Sequence, residues 1–184
     1  MTKEEELVDA AYDDDVAKAA SLLAAGVAVD SENEDGVTAL YEAVRKKSYA
    51  TAELLLQKGA DAAKQYNQKK YTVLHMAVSD DDQRMTELLV RHMDDINIRD
   101  KFGNTALWTA IHQASLASNA GNTTIVELLL NKGADPYTPN QMGQMVVGKS
   151  KTPVGESLSP YDSAVRSKLT DVLALIEKYA PKSA

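Results

Sequence analysis

The sequence predicts an all-α solenoid, a chain of helix pairs stacked one on the next. Three observations predict it: a phrase that recurs every 33 to 34 residues, a Leu-rich segment after each copy, and an apolar composition suited to thin layers. Hydrophobic residues make up 44% of the 184 positions and aromatic residues only 5%, so Leu, Ala and Val dominate. Units of this period bury their apolar faces by stacking on one another.

The recurring phrase predicts the first helix of each unit. Its copies are residues 36–43 (GVTALYEA), 70–77 (KYTVLHMA) and 103–110 (GNTALWTA). A Thr stands third in each copy, where its side-chain oxygen can accept a backbone N–H left unpaired at a helix start. We therefore expect first helices to begin at Thr38, Thr72 and Thr105.

The Leu-rich segments predict the second helix of each unit. They are residues 53–61 (ELLLQKGAD), 87–90 (ELLV) and 127–136 (ELLLNKGADP). Glycine tolerates the left-handed backbone that often ends a helix, so Gly59 and Gly133 predict second-helix ends, as Gly26 does near the N-terminus. An opening unit from Leu7 and a closing unit from Ser159 bring the number of units to about five.

These segments resemble the ankyrin repeat, whose consensus joins a Gly-x-Thr-Pro-Leu-His-x-Ala phrase to a second helix ending in Leu-Leu and a Gly-Ala-Asp turn. The resemblance covers nearly the whole chain. It implies one domain over 1–184, an ankyrin-repeat solenoid of helix-turn-helix units with short β-hairpin tips and atypical capping repeats. The approximate units are 5–30, 31–63, 64–97, 98–136 and 137–180. His75 takes the consensus His position, which implies a structural hydrogen bond.

The chain departs from this consensus at two turns and two insertions. Lys70 replaces the tip Gly and Met93-Asp94 replaces Gly-Ala, so both turns of the third unit are expected to be stiffer or distorted. Extra residues stand near 115–121 and 144–158. Insertions on one face of a solenoid often belong to its binding face.

Charge and composition exclude several classes of function. The formal net charge of −7 disfavours nucleic acid and anionic membranes, and favours a basic protein partner. The first seven residues lack the basic and apolar parts of an export signal, and no apolar run approaches the roughly 18 residues of a membrane span. With no cysteine, we expect a cytoplasmic protein that is a monomer when free.

Three motifs suggest other chemistry. Residues 143–150 (GQMVVGKS) match the nucleotide-binding pattern Gly-x-x-x-x-Gly-Lys-Ser, but no buried strand precedes them and Pro153 and Gly155 oppose a following helix. The acidic triplets 13–15 and 80–82 lack calcium-loop spacing and predict helix caps. His75, His92 and His112 lack the spacing of metal ligands. No catalytic residue, cofactor or metal is predicted, and the chain is not expected to be an enzyme.

In the ankyrin family, partners bind to the hairpin tips and to the exposed face of the first helices. Carried over position by position, the resemblance implies these partner-binding residues: Glu34, Asp35, Val37, Arg45, Gln68, Lys69, Tyr71, Asp80, Lys101, Phe102, Asn104, Trp108, His112 and Met142. Tyr71, Phe102 and Met142 are the predicted anchors, since large apolar residues dominate interfaces; the alternative is that each packs on a neighbouring tip. Tyr41 and Trp108 are expected to be half-buried.

The resemblance therefore implies a protein–protein interaction module. The phrase at 103–108 (GNTALW) and the insertion after it resemble small bacterial ankyrin proteins that neutralise a toxin, which implies an inhibitor or immunity protein. Acidic residues around Glu34, Asp35, Asp80 and Asp81 would then enter a basic cleft of a toxin enzyme. A cytosolic adaptor or host-directed effector scaffold is the alternative, and a nucleotide-binding protein is the remote one.

Overall fold

The computed structural model describes residues 2–116, 123–141 and 158–180. Within them ten helices form five pairs. The first helices of the pairs are α1 (Lys3–Tyr12), α3 (Ala39–Lys46), α5 (Val73–Ser79), α7 (Ala106–Ser115) and α9 (Pro160–Arg166). The second helices are α2 (Val16–Ala24), α4 (Tyr49–Gln57), α6 (Gln83–His92), α8 (Thr124–Asn131) and α10 (Thr170–Tyr179).

The pairs stack in chain order. Each first helix packs on the first helix of the next pair, from α1 through α3, α5 and α7 to α9, and the second helices form a matching row from α2 to α10. Instead of strands, the described residues contain two isolated antiparallel bridges, Glu32 with Thr38 and Tyr66 with Tyr71. The predicted all-α solenoid is confirmed; in place of the predicted short β-hairpins, single bridges close the tips of the second and third units.

Every predicted start of a first helix is confirmed by a capping hydrogen bond. Thr38 Oγ1 accepts from Tyr41 N at 3.2 Å, and Thr105 Oγ1 accepts from Trp108 N at 3.3 Å. The N-caps Thr72 and Ser159 accept in the same way from the third residue of their helices. These caps fix where the first helix of each of these units begins.

The second helices end in two different ways. Gly26, Gly59 and Gly133 take positive φ angles of 91°, 86° and 94°, as predicted. In the third unit α6 ends instead at Met93, whose backbone is extended (φ −105°, ψ 129°) and whose side chain is buried. The turn differs as the Met93-Asp94 substitution predicted, and the unit is retained.

In four of the five pairs, the two helices are joined by a tight connection with a left-handed residue. Asp14, Lys47, Asp81 and Lys168 occupy this position, with φ between 51° and 61°. The acidic triplets supply the caps that follow: Asp15 accepts from Lys18 N and Asp82 from Met85 N, each at 2.9 Å. Their predicted role as caps is confirmed.

One hydrophobic core runs along the stack between the two rows of helices. The Leu side chains that fill the layers are buried almost completely: Leu40, Leu55, Leu74, Leu89, Leu107 and Leu129. The small residues at the close helix contacts are buried as well: Ala43, Ala77 and Ala110. Because each layer belongs to two units, this core fixes the spacing of the tips along the edge of the stack.

Candidate partner-binding surface

The tip of the fourth unit is a rigid turn built on one carboxylate. Asp100 Oδ1 accepts from Phe102 N and Asn104 N, both at 2.8 Å, and Gly103 turns the chain with a φ of 77°. Asn33 holds the tip of the second unit in the same way. The backbone of these tips is therefore fixed before any partner arrives.

The tip of the third unit is one residue longer. The hydrogen bond that closes it runs from Tyr66 N to Tyr71 O over five positions, against four for Asp100 N to Asn104 O in the next unit. Two of its non-glycine residues are left-handed, Asn67 with φ 53° and Lys70 with φ 56°. The distortion predicted from the missing glycine is confirmed.

The tip of the fifth unit carries the second insertion. Asn140 N donates to Leu158 O at 2.9 Å, and Leu158 N donates to Asn140 Oδ1 at 3.2 Å. This is the pairing that Asn33 makes with Val37 in the second unit, with a longer segment between the two partners.

Several predictions lie outside the described residues. They concern the anchor Met142, the nucleotide-binding pattern 143–150, all but the last residue of the insertion 144–158 and most of the insertion 115–121. Part of the first insertion is described, because α7 has ten residues where α5 has seven.

Hydrogen bonds tie the tips of the third, fourth and fifth units into one row. Lys101 N donates to Lys69 O at 2.9 Å, and Gln141 N donates to Phe102 O at 2.7 Å. The side chain of Gln65 adds a bond to Arg99 O at 2.8 Å. The row is a preorganised edge that a partner can bind with little loss of backbone entropy.

His75 supports this row from below. Its Nδ1 accepts from Thr72 N at 3.3 Å, and its Nε2 lies 3.1 Å from Asn104 O in the next unit, so Nε2 carries the proton. Burial lowers the pKa of His75, against the raising effects of the Asn104 carbonyl and the Asp100 carboxylate. The structural hydrogen bond predicted for His75 is confirmed.

Aromatic side chains are half-buried along this surface. Tyr71 stacks on His75 with ring centroids 5.9 Å apart, and Trp108 stacks on the exposed His112 at 5.3 Å. Phe102 is half-buried on the neighbouring tip. The half-burial predicted for Trp108 and Tyr41 is confirmed. Tyr71 and Phe102 keep part of each ring available to a partner.

The remaining predicted binding residues divide by exposure. Exposed are Glu34, Asp35, Arg45, Gln68, Lys69, Asp80 and Lys101; half-buried are Val37 and Asn104. Arg45 is paired with Glu42, and this hydrogen bond raises the pKa of Arg45.

The predicted acidic residues lie at two places on the stack. Glu34 and Asp35 lie on the tip of the second unit, whereas Asp80 caps the far end of α5 and Asp81 follows it. Helix α5 has seven residues, and at about 1.5 Å per residue this separates the two groups by roughly 10 Å along the helix. The tips of the third and fourth units carry lysines instead, Lys69, Lys70 and Lys101.

Sequence reasoning missed two residues that hold the tips together. Tyr66 is buried, its hydroxyl lies 2.7 Å from Thr38 Oγ1 in the preceding unit, and burial raises the pKa of Tyr66 to about 12. Arg99 donates from Nε to Gly103 O at 3.1 Å and from its guanidinium to Pro139 O. Neither residue belongs to the recurring phrase, so periodicity gave no signal for them.

The described residues contain neither a metal-binding cluster nor a membrane-spanning helix. Over residues 2–116, 123–141 and 158–180 there is no cluster of three or more His, Cys, Asp or Glu able to hold a metal ion. In the same ranges no helix has the length and apolarity needed to cross a bilayer.

Helix pairs stacked in two rows, with tied tips along one edge, define a repeat protein of the binding-scaffold class. The chain belongs to the ankyrin-repeat family. A profile described as Ankyrin repeats (3 copies) matches residues 61–140, and one described as Ankyrin repeat matches residues 35–67. The chain is accordingly a protein–protein interaction module.

The segments that this chain matches lie within longer proteins. The Ankyrin repeat and KH domain-containing protein mask-1 of Caenorhabditis elegans is 32% identical over 116 residues, which cover 62% of this chain and 4% of that protein. The Mitochondrial disaggregase of Bos taurus is 30% identical over 145 residues (77% and 20%). The SH3 and multiple ankyrin repeat domains protein 2 of Homo sapiens is 30% identical over 134 residues (73% and 7%). The chain thus spans at most a fifth of these relatives.

Proposed function

We propose that this chain is an inhibitor, of the immunity-protein type, that binds a partner protein along its tips and first helices and covers the partner's working surface. A toxin enzyme is the kind of partner proposed. The observation that carries the proposal is the tied row of tips, on which Tyr71 and Phe102 are held half-exposed beside Trp108 of α7.

Rigidity and aromatic anchors support binding by occlusion. A preformed edge loses little conformational entropy on association, and partly buried aromatic side chains contribute much of the binding energy of protein interfaces. A stable complex would bury on the order of 1,200 to 2,000 Å² in total. The tips of several successive units together offer a surface long enough for such a contact.

The exposed negative charge on the tip of the second unit supports a partner whose surface is basic where it faces that unit. Glu34 and Asp35 are exposed on that tip, and neither has an ion-pair partner within the described residues. The proposal includes a cytoplasmic protein that is monomeric when free, in keeping with the absence of cysteine and the net charge of −7.

The experiment captures the partner from lysate of the native host with the tagged chain and assays the partner's own activity against added chain. The double variant Tyr71→Ala, Phe102→Ala is expected to weaken binding at least tenfold and to relieve inhibition by the same factor. The control is Leu54→Ala, Leu175→Ala, which shortens two half-buried apolar side chains on second helices and is expected to leave binding unchanged.

The outcomes separate the competing functions. A partner that binds but keeps full activity at saturation makes the chain an adaptor or effector scaffold. A partner held equally by the Tyr71, Phe102 variant contradicts the assigned surface. Bound nucleotide on the purified chain, lost on Lys149→Ala, would establish the nucleotide-binding alternative.

A further inference from the structure

We propose that the tips of the third and fourth units bind an acidic segment of the partner protein, through a basic-aromatic strip formed by Lys69, Lys70, Tyr71, Lys101 and Phe102. The inference rests on the proposed function, since it assumes that the tips face the partner. It adds that the partner is acidic where it contacts the third and fourth tips, and it gives the direction in which the partner lies along the stack.

Backbone hydrogen bonds hold the lysines of the strip side by side. Lys101 N donates to Lys69 O at 2.9 Å, which joins the two tips at these residues. Lys69 N in turn donates to Asn67 Oδ1 at 2.7 Å. The cationic side chains of Lys69 and Lys101, from different units, are therefore attached at neighbouring points of a fixed backbone.

Two of the three lysines, Lys69 and Lys101, each lie over an aromatic ring of their own tip. Lys69 Nζ is 5.7 Å from the centroid of the Tyr71 ring, and Lys101 Nζ is 4.9 Å from that of Phe102. Such cation–π contacts confine flexible ammonium groups near one position. A segment that alternates carboxylates with apolar side chains would meet an ammonium group and a ring at each tip.

Asp100 of the fourth tip and Glu32 of the second tip are engaged with other partners. Asp100 is buried and its Oδ1 holds two amides of the tip. Glu32 on the neighbouring tip is paired with Lys64. Lys69, Lys70 and Lys101 have no carboxylate partner within the described residues, so the positive charge of the strip is not neutralised by the chain itself.

The charge of the whole chain favours a short acidic peptide segment over nucleic acid. Residues 2–30 contain eight acidic and two basic residues, whereas the strip alone has three lysines and no acid. A long polyanion lying along the stack would be repelled by the first unit, while a short segment would contact the strip only. The change from an acidic first unit to a basic strip also orients the partner, whose acidic segment would lie against the third and fourth units.

The test measures fluorescence anisotropy of a short labelled peptide rich in Glu and containing Phe. Its comparison probes are the same peptide with Gln for Glu and a single-stranded DNA of matching charge. The wild type is expected to bind the Glu peptide at low salt and to lose it as salt rises. Lys69→Glu, Lys101→Glu should weaken binding at least tenfold, and the matched control Lys58→Glu, Lys132→Glu, at the ends of α4 and α8, should not.

Several results would overturn the inference. The Gln peptide could bind as tightly as the Glu peptide, or the DNA could bind more tightly than it. The control variant could lose as much affinity for the Glu peptide as Lys69→Glu, Lys101→Glu does. The free chain could also form a dimer that Lys69→Glu, Lys101→Glu abolishes. The captured partner separates this inference from the proposed function. If Lys69→Glu, Lys101→Glu leaves inhibition intact while Tyr71→Ala, Phe102→Ala relieves it, the strip is wrong and the proposed function stands; if neither variant matters, the tips are not the binding surface.

Discussion

At the scale of single residues, His75 couples two units by a proton. It accepts from Thr72 of its own unit and donates to Asn104 O of the next. Since burial lowers the pKa of His75 in the folded chain, the unfolded chain binds the proton more readily, with a pKa of about 6.5. The stability that neutral His75 contributes is thus complete above about pH 6.5 and is lost as pH falls through the lower folded pKa.

We therefore expect the free energy of unfolding to fall between about pH 7.5 and about pH 5.5, and to fall less in His75→Gln, which has no imidazole to protonate. Urea denaturation at the two pH values measures the difference. His112→Gln is the control, because His112 is exposed and stacks on Trp108 without such a bridge. An equal loss in wild type and His75→Gln would show that other groups cause the acid sensitivity.

Lys70 stores backbone strain at the third tip. Its φ of 56° lies in the left-handed region, which side chains with a β-carbon enter at a cost and glycine does not. Lys70→Gly is expected to raise the free energy of unfolding by about 0.5 to 1 kcal/mol. The adjacent Lys69→Gly, at a position without positive φ, should lower it by about 0.4 to 1 kcal/mol. Urea midpoints that move in the same direction would contradict this account.

At the scale of elements, the end of α6 is a case where the family consensus is the wrong residue for this chain. Met93 stands where Gly59 and Gly133 end other second helices, but its backbone is extended and its side chain is buried. Restoring the consensus by Met93→Gly should lower the free energy of unfolding by about 2 to 5 kcal/mol, since it empties a buried site. Gly59→Ala, at a φ of 86°, should cost only about 1 to 2 kcal/mol. Thermal or urea unfolding compares the two variants, and a stabilised Met93→Gly would refute the argument.

The elements show what sequence could and could not predict. Helix starts at Thr38 and Thr105 and the end at Gly133 follow from caps, which are local, so the repeated phrase was sufficient. The bond between Tyr66 and Thr38 and the tie between Lys101 and Lys69 join different units. Those contacts depend on how far each unit turns relative to its neighbour, which no periodicity in the sequence encodes.

For the candidate site too, the sequence predicted positions within a unit better than the arrangement of residues from different units. Family positions placed Lys69 and Lys101 at the tips of the stack, where both side chains are exposed. Glu34 and Asp80, which were grouped by charge, lie at opposite ends of the first helices, because the length of α5 lies between a tip and the helix end. Net charge alone therefore concealed a basic surface inside an acidic chain.

At the scale of the whole molecule, each pair of helices packs on the next pair, so stability is shared between nearest neighbours. A substitution that destabilises one unit therefore also destabilises the units packed against it. The links that cross between units lie both at the tips, as His75 does, and at the helix connections, where Tyr49 donates to Asp82 at 2.9 Å. Together they keep successive tips in register, which a binding edge made of several units requires.

The pairing of Asn140 with Leu158 separates the helical stack from the segment that lies between these two residues in the sequence. Two hydrogen bonds hold these residues together as the ends of an ordinary tip, so the stack is complete whatever the chain does between them. Lengthening a closed loop is inexpensive, with each doubling costing only about 0.6 kcal/mol. Substitutions, deletions and even whole grafted segments can thus accumulate between these two residues while the helices stay in place. This tip is where related lineages could acquire new specificities without rebuilding the fold.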